Sequence, residues 1–147
     1  MQKQSYSSIV PLEFKDRNVC ILGLGFVGIT LATVMAEVGF HVTGIEIREE
    51  VVNKIRNGLA HFFEPGLSDK IKLMIENKRL EVFTQIPNSS KSTVYIITVG
   101  TPLDEGKKVN LSSIQNITKE DVNRVATVIH QFLNVTGVIC RNKATVQ

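Results

Sequence analysis

The feature that most constrains the fold of this chain is a glycine-rich turn between a short apolar run and a helical pattern. The apolar run Val19 to Leu22 predicts a buried strand, and glycines follow it at positions 23, 25 and 28. This GxGxxG spacing is typical of turns that bind the pyrophosphate of a dinucleotide. In such a turn Gly23 permits a tight bend, Gly25 lets the backbone approach the phosphates, and Gly28 lets helix and strand pack closely. The phosphates are then expected on backbone N–H groups at the positive end of the helix.

An acidic residue further along distinguishes a binding turn from a simple connection, because a glycine-rich turn by itself often only joins two elements. The next predicted strand, Val42 to Ile47, contains Glu46, about 20 residues beyond the glycines, where a dinucleotide-binding βαβ unit places an acid for the adenine-ribose hydroxyls. The alternative is a solvated charge at a strand end. The order of strand, glycines, helix, strand and acid favours binding. A carboxylate at Glu46 would repel a 2′-phosphate and favours NAD over NADP; Arg48 is the one nearby residue that would soften this preference.

Length and composition limit the other possibilities. With 147 residues and 43% hydrophobic content, we expect one domain over residues 18–147 after an N-terminal lead-in of residues 1–17. The net charge is only +3 and the basic residues are scattered, so no nucleic-acid partner is expected. No apolar run approaches the length of a membrane span, so no membrane is expected either, and the use of the two cysteines fits a cytoplasmic, reduced setting. Cys20 and Cys140 each fall in a predicted buried strand. Both are interpreted as small core residues and not as a disulfide, a nucleophile or part of a metal site, and no metal is expected.

Helical and strand patterns alternate along the rest of the chain. Helices are predicted over about 27–38, over 49–56, from near Pro65 and after Thr118, and strands over 80–84, 93–99 and from 138. This alternation predicts an α/β fold, a Rossmann-type doubly wound parallel sheet with helices on both faces, in a single three-layer domain with strand order 3-2-1-4-5. The loop after strand 93–99 lies at a carboxyl end, so Thr101 is a candidate cofactor contact, although a threonine before proline is also an ordinary turn residue.

Four motifs in order resemble the N-terminal NAD-binding domain of the UDP-glucose/GDP-mannose dehydrogenase family. They are GLGFVG at 23–28, GFHVTGIEI at 39–47, FEPGL at 63–67 and VGTPLD at 99–104. The resemblance covers nearly everything after residue 17 and implies NAD as cofactor. It also implies that Phe26 and Val27 line the cofactor diphosphate, that Glu46 holds the adenine ribose and that Thr101 lies near the nicotinamide-side ribose.

The resemblance further implies an activity that needs residues beyond this chain. The family oxidises the primary alcohol of a nucleotide sugar to a carboxylate in two NAD-linked hydride transfers, through a thiohemiacetal on a cysteine, and serves polysaccharide biosynthesis. Its catalytic cysteine, lysine and substrate-binding groups match no motif here, so the substrate domain is expected to be absent and the fragment inactive. No catalytic residue is assigned, Thr145 being the only position that resembles the family's Ser-Thr-Val-Pro segment. The complete protein is expected to be a homodimer.

The sequence departs from the family pattern at several positions, and two other functions stay open. Aspartate is more usual than Glu46, Asn110 stands where aspartate is common, the segment before Gly137 is longer, and Ala144 and Gln147 replace serine and proline around Thr145. The alternatives are a non-enzymatic NAD-sensing module, or the first domain of another NAD-dependent dehydrogenase of the hydroxyacid or 6-phosphogluconate type.

Overall fold

The protein is described by a computed structural model at residue 10, residues 13–100 and the backbone of residues 138–141. Strands and helices follow one another in the order β1 (Asn18–Leu22), α1 (Phe26–Val38), β2 (His41–Ile45), α2 (Glu49–Arg56), α3 (Leu67–Glu76), β3 (Leu80–Phe83), β4 (Val94–Ile97) and β5 (Val138–Arg141). The strands form one sheet in the order β3-β2-β1-β4-β5, which confirms the predicted order and the Rossmann-type α/β fold.

The strand order reverses beside the central strand. From β1 the chain passes outward to β2 and β3 and then returns to β4 on the other side of β1. In doubly wound sheets, ligands bind outside the carboxyl ends of the strands at such a reversal. The crevice is therefore expected above the ends of β1 and β4, where Gly23 and Thr98 lie.

The prediction of a parallel sheet is wrong at one edge. β1 pairs in parallel with β2 and β4, and β2 pairs in parallel with β3, but β5 runs antiparallel to β4. The apolar run at 138–140 carries no information on direction, which is set by the connection that leads into the strand. An antiparallel edge strand on an otherwise parallel sheet is a common arrangement.

The three described helices pack against one face of the sheet. Their shared core joins alternate strand residues to the helices and includes Val19, Ile21, Val42, Val82, Ile96, Ile29, Ala32, Ile55, Ile71 and Met74. The opposite face carries a second apolar cluster of Cys20, Leu22, Ile45, Tyr95 and Ile97. The helix predicted after Thr118, and with it the three-layer arrangement, lies outside the described residues.

Most helix ends follow the sequence signals. α1 ends at Gly39, which adopts the left-handed conformation (φ 116°) and donates its N–H to the carbonyl oxygen of Ala36. α2 has the predicted bounds. α3 begins at Leu67, two residues later than predicted, because the left-handed Gly66 (φ 77°) separates Pro65 from the helix.

The strand register keeps the two cysteines apart. Cys20 pairs with Tyr95 and Tyr95 pairs with Cys140, so two strand spacings, about 9.6 Å, separate their backbones. A disulfide needs Cα atoms within about 7 Å, so this register excludes one between them. In the part of the chain that the structure describes, no helix has the length and apolarity to cross a bilayer. The same residues contain no cluster of three or more potential metal-ligating side chains.

Candidate cofactor-binding site

The turn after β1 requires glycine at its first position. Gly23 has φ 93°, a conformation that side chains with a Cβ rarely adopt, and it donates its N–H to the carbonyl oxygen of Ile45 at 2.8 Å. A Cβ at Gly23 would lie 2.9 Å from Cγ1 and 3.0 Å from the backbone nitrogen of Val99. Both conformation and space therefore exclude a larger residue, as the motif predicts.

Gly28 and Thr98 close the turn against the first helix. A Cβ at Gly28 would collide with the carbonyl oxygen of Gly23 and would lie 2.6 Å from Oγ1 of Thr98. The Thr98 hydroxyl lies 2.6 Å from the Gly23 carbonyl oxygen and donates to it, with the Leu22 carbonyl oxygen at 3.2 Å. The sequence did not single out Thr98; the available signal was a polar residue at the end of an apolar strand.

Gly25 differs from the other two glycines because the fold itself does not require it. It is the N-cap residue of α1, with φ −69° and ψ −160°, and no atom beyond Gly25 and its two chain neighbours lies within 4 Å of the position that a Cβ would take. Open space above this backbone is what the approach of a pyrophosphate needs. The geometry leaves room for a pyrophosphate at Gly25, and the contact itself stays a prediction.

The start of α1 can receive an anion. It has no side-chain cap and no acidic residue in its first turn, and its first helical hydrogen bond runs from the Ile29 N–H to the Gly25 carbonyl oxygen at 3.1 Å. The preceding N–H groups of a helix have no intrahelical partner and lie at its positive end. Phe26 and Val27 are 62% and 51% exposed here, so both are accessible beside the turn, as expected for residues that line a diphosphate.

Glu46 follows β2 and is tied to the glycine turn. Its side chain is only 6% exposed, and its Oε2 accepts the backbone N–H of Leu24 at 3.3 Å. Leu24 in turn packs on Gly44, where a Cβ would lie 2.8 Å from Leu24 Cδ1. The carboxylate is thus a buried group fixed beside the turn, and the alternative of a solvated charge at a strand end is wrong.

Arg48 binds the Glu46 carboxylate in a fork. Its Nε donates to Oε1 at 3.1 Å and its Nη2 donates to Oε2 at 3.0 Å, while its backbone N–H also donates to Oε1 at 3.1 Å. Burial raises the pKa of Glu46, but the hydrogen bonds and positive charge of Arg48 and the Leu24 N–H outweigh it, so the net pKa is lowered. Glu46 is therefore ionised at neutral pH.

Aromatic residues from the loop between α2 and α3 form one wall of the site. The rings of Phe26 and Phe62 stack with centroids 3.8 Å apart and planes 15° apart, and His61 meets Phe62 edge-on at 4.9 Å. The His61 Nδ1 is buried and has no hydrogen-bond partner among the described residues. Burial and the charge of Arg48 lower the pKa of His61, so the imidazole is neutral at pH 7. The sequence did not predict this wall.

The structure brings together most of the predicted site. Gly23, Gly25, Gly28, Phe26, Val27 and Glu46 all lie at the carboxyl edge of the sheet, around the start of α1. Thr101 and Thr145 lie outside the described residues. A polar cavity of about 300 Å³ lies at the opposite edge, beside Asn18 and His41, and contains none of the predicted residues.

A glycine turn, an open helix N-terminus and a buried acid, set where the strand order reverses, define a dinucleotide-binding Rossmann domain. Residues 17–147 match the family described as UDP-glucose/GDP-mannose dehydrogenase family, NAD binding domain. The chain belongs to this family, and NAD is its cofactor.

The chain is also similar to individual proteins named as nucleotide-sugar dehydrogenases. A UDP-N-acetyl-D-mannosamine dehydrogenase of Pyrococcus horikoshii is 35% identical over 115 residues, which are 76% of this chain and 27% of the relative. A UDP-glucose 6-dehydrogenase of Bacillus subtilis is 30% identical over 131 residues, which are 88% of this chain and 26% of the relative. The chain therefore spans about a quarter of the length of each of these two relatives.

Solved structures of such enzymes share the fold. The UDP-D-ManNAc dehydrogenase of Pyrococcus horikoshii matches with a TM-score of 0.66 and 33% identity, over 71% of this chain and 25% of that one. A ternary complex of GDP-mannose dehydrogenase from Pseudomonas aeruginosa matches with a TM-score of 0.64 and 26% identity, over 70% and 24% of the two chains.

Proposed function

We propose that this chain is the cofactor domain of a dehydrogenase that oxidises the C6 alcohol of a UDP- or GDP-sugar to the uronate. The family match and the names of the relatives support this reaction class. NAD supplies the hydride acceptor when it is bound. The sugar nucleotide would be held by groups other than those described here, and the complete protein would be the active form.

Within this proposal each described residue has a separate task. The backbone of Gly25 and the first turn of α1 receive the diphosphate, beside Phe26 and Val27. Glu46 accepts the hydroxyls of the adenine ribose, and Ile47, which is 85% exposed, offers an apolar contact next to it. The single observation that carries this arrangement is the hydrogen bond from the Leu24 N–H to Glu46, because it fixes the ribose acceptor relative to the phosphate turn.

The chemistry of oxidation is proposed to lie outside the described residues. A thiol nucleophile must ionise and reach the substrate, but Cys20 is completely buried in the central strand. We expect the isolated chain to bind NAD and to form no NADH from UDP-glucose, UDP-N-acetylmannosamine or GDP-mannose. Absorbance of NADH in a mixture of chain, NAD and each sugar nucleotide tests this, and turnover that disappears in Cys20→Ala would contradict it.

Calorimetric titration of Glu46→Gln with NAD and NADP tests the proposed ribose acceptor. A hydrogen bond to a charged group contributes about 1.5–3 kcal/mol, so NAD affinity is expected to fall about tenfold to a hundredfold. The preference for NAD over NADP should narrow at the same time, because the repulsion of a 2′-phosphate is removed. Glu76→Gln is the matched control, since this exposed carboxylate lies at the far end of α3. Equal affinities of wild type and Glu46→Gln for NAD would refute the assignment.

A further inference from the structure

The carboxylate of Glu46 has no acceptor position left for a ribose. An ionised carboxylate offers about four lone-pair positions on its two oxygens. Here Oε1 accepts the backbone N–H and the Nε–H of Arg48, and Oε2 accepts the backbone N–H of Leu24 and an Nη2–H of Arg48. Four donors therefore fill the four positions.

Only two of these donors can leave. The backbone N–H groups of Leu24 and Arg48 are fixed by the glycine turn and by the first residue before α2. The guanidinium belongs to a side chain that is 50% exposed, and it can rotate into solvent without disturbing the core. The two positions that it would vacate, one on each carboxylate oxygen, are the number that the two hydroxyls of a ribose diol require.

We propose that Arg48 closes the ribose-binding carboxylate in the cofactor-free chain and that NAD binds by exchanging the guanidinium for the ribose diol. This inference rests on the proposed role of Glu46 as ribose acceptor. Arg48 then lowers the affinity for NAD by competing with the ribose for the carboxylate of Glu46.

The exchange makes an unusual prediction about the sign of a charge substitution. NAD is an anion, so removal of any positive charge near the site should lower its affinity through long-range electrostatics. Removal of Arg48 should instead raise the affinity, because the ribose no longer has to displace an ion pair. Since partly exposed ion pairs are weak, the expected gain is about three- to tenfold.

Calorimetric NAD titrations of Arg48→Met and Lys54→Met test this sign. Methionine keeps an apolar stem and removes the side-chain donors, while the backbone N–H of residue 48 is retained. Lys54 is an exposed cation on α2 whose charge acts on His61, and the hydrogen bonds of the Glu46 carboxylate in the described part of the chain come from Leu24 and Arg48 instead. Lys54→Met therefore controls for the loss of a nearby charge. We expect tighter binding in Arg48→Met and unchanged or weaker binding in Lys54→Met. Unchanged or weaker binding in Arg48→Met would overturn the proposal.

A Glu46→Gln background separates this proposal from the one on which it rests. The gain from Arg48→Met should vanish there, because no ion pair remains to be broken. If Glu46→Gln and Arg48→Met each leave NAD affinity unchanged, Glu46 is not the ribose acceptor and the placement itself is wrong. If Glu46→Gln weakens binding and Arg48→Met fails to strengthen it, the placement stands and the exchange is refuted.

Nitrogen-resolved NMR gives a readout of Arg48 that does not depend on affinity. The Nε–H of Arg48, identified by its loss in Arg48→Met, should exchange slowly with water in the cofactor-free chain because it donates to Glu46. Saturation with NAD should return it to fast exchange. An Nε–H that stays protected in the NAD-saturated chain would show that the guanidinium does not leave.

Discussion

Alanine at Gly25 is expected to abolish most NAD binding while leaving the fold intact. The position is extended and open, so a methyl group meets no protein atom within 4 Å. Replacement of glycine by alanine at an allowed conformation stabilises by about 0.4–1 kcal/mol, and alanine is a poorer N-cap than glycine by a comparable amount. The two effects offset each other, and the free energy of unfolding should change by less than about 1 kcal/mol.

The effect on binding follows from what the methyl group would displace. If the pyrophosphate lies against Gly25, the methyl group moves it away from the N–H groups of α1 and weakens hydrogen bonds to a charged group, at about 1.5–3 kcal/mol. NAD affinity then falls about tenfold to a hundredfold. At an NAD concentration of 100 times the wild-type Kd, ligand stabilisation falls from about 2.7 kcal/mol to about 1.4 or 0.4 kcal/mol.

Thermal unfolding with and without NAD measures both quantities in one experiment. For a domain of this size, a change of 1 kcal/mol in the free energy of unfolding shifts the Tm by roughly 3–4 °C. NAD should therefore raise the wild-type Tm by roughly 8–11 °C. If Gly25→Ala binds NAD a hundredfold more weakly, NAD should raise its Tm by only roughly 1–2 °C. Gly28→Ala is the contrasting variant, because its methyl group collides with the Gly23 carbonyl oxygen and should destabilise the fold itself. If the Gly25→Ala variant is as stable as the wild type and NAD raises its Tm by as much, the placement of the pyrophosphate is refuted.

Three further predictions concern the support of the site. Thr98→Val removes the hydroxyl that bonds to the Gly23 carbonyl oxygen and should lower the free energy of unfolding by about 1 kcal/mol in denaturant titrations; unchanged stability would show that the bond does not support the turn. Below pH 6.5 stability should fall, because burial and the charge of Arg48 lower the pKa of His61 and the unfolded chain binds more protons; His61→Gln should flatten this part of the profile. Below pH 4.5 the free energy of unfolding should fall a second time, because the pKa of Glu46 is lowered in the folded chain and its contribution to stability is lost as it protonates. Glu46→Gln should remove this second fall. A pH dependence of stability that is the same in Glu46→Gln and wild type would contradict the role of the ion pair.

Local features of the fold were predictable from sequence because a few adjacent residues determine them. The acidic first turn and the Asn57-Gly58 end gave the bounds of α2, and Gly39 gave the end of α1. The tasks of Gly23 and Gly28 follow from the geometry of any strand-turn-helix, so the spacing alone predicted them. The position of Glu46 beside the glycine turn was predictable, because a βαβ unit fixes the distance along the chain between the turn and the end of the next strand.

Features that join distant parts of the chain were not predictable in the same way. The contact from Thr98 to Gly23 spans 75 residues, and the stack of Phe26 on Phe62 depends on where the loop after α2 comes to lie. The Arg48 fork is local in sequence, but it depends on a side-chain conformation that no periodicity encodes. The direction of β5 belongs to the same group, since it is set by a connection and not by the residues of the strand.

The candidate site combines a rigid glycine turn with one side chain that must move. The glycine turn is held from both neighbouring strands, through the Gly23 N–H bond to Ile45 and the Thr98 bond to the Gly23 carbonyl oxygen, so its shape does not depend on the cofactor. A turn that is already ordered adds little entropic cost on binding. The cost is concentrated in the one partly exposed side chain that must move, Arg48. Substitutions at Gly23 and Gly28, where a Cβ has no room, should therefore change stability and affinity together, whereas Gly25→Ala should change affinity with little effect on stability.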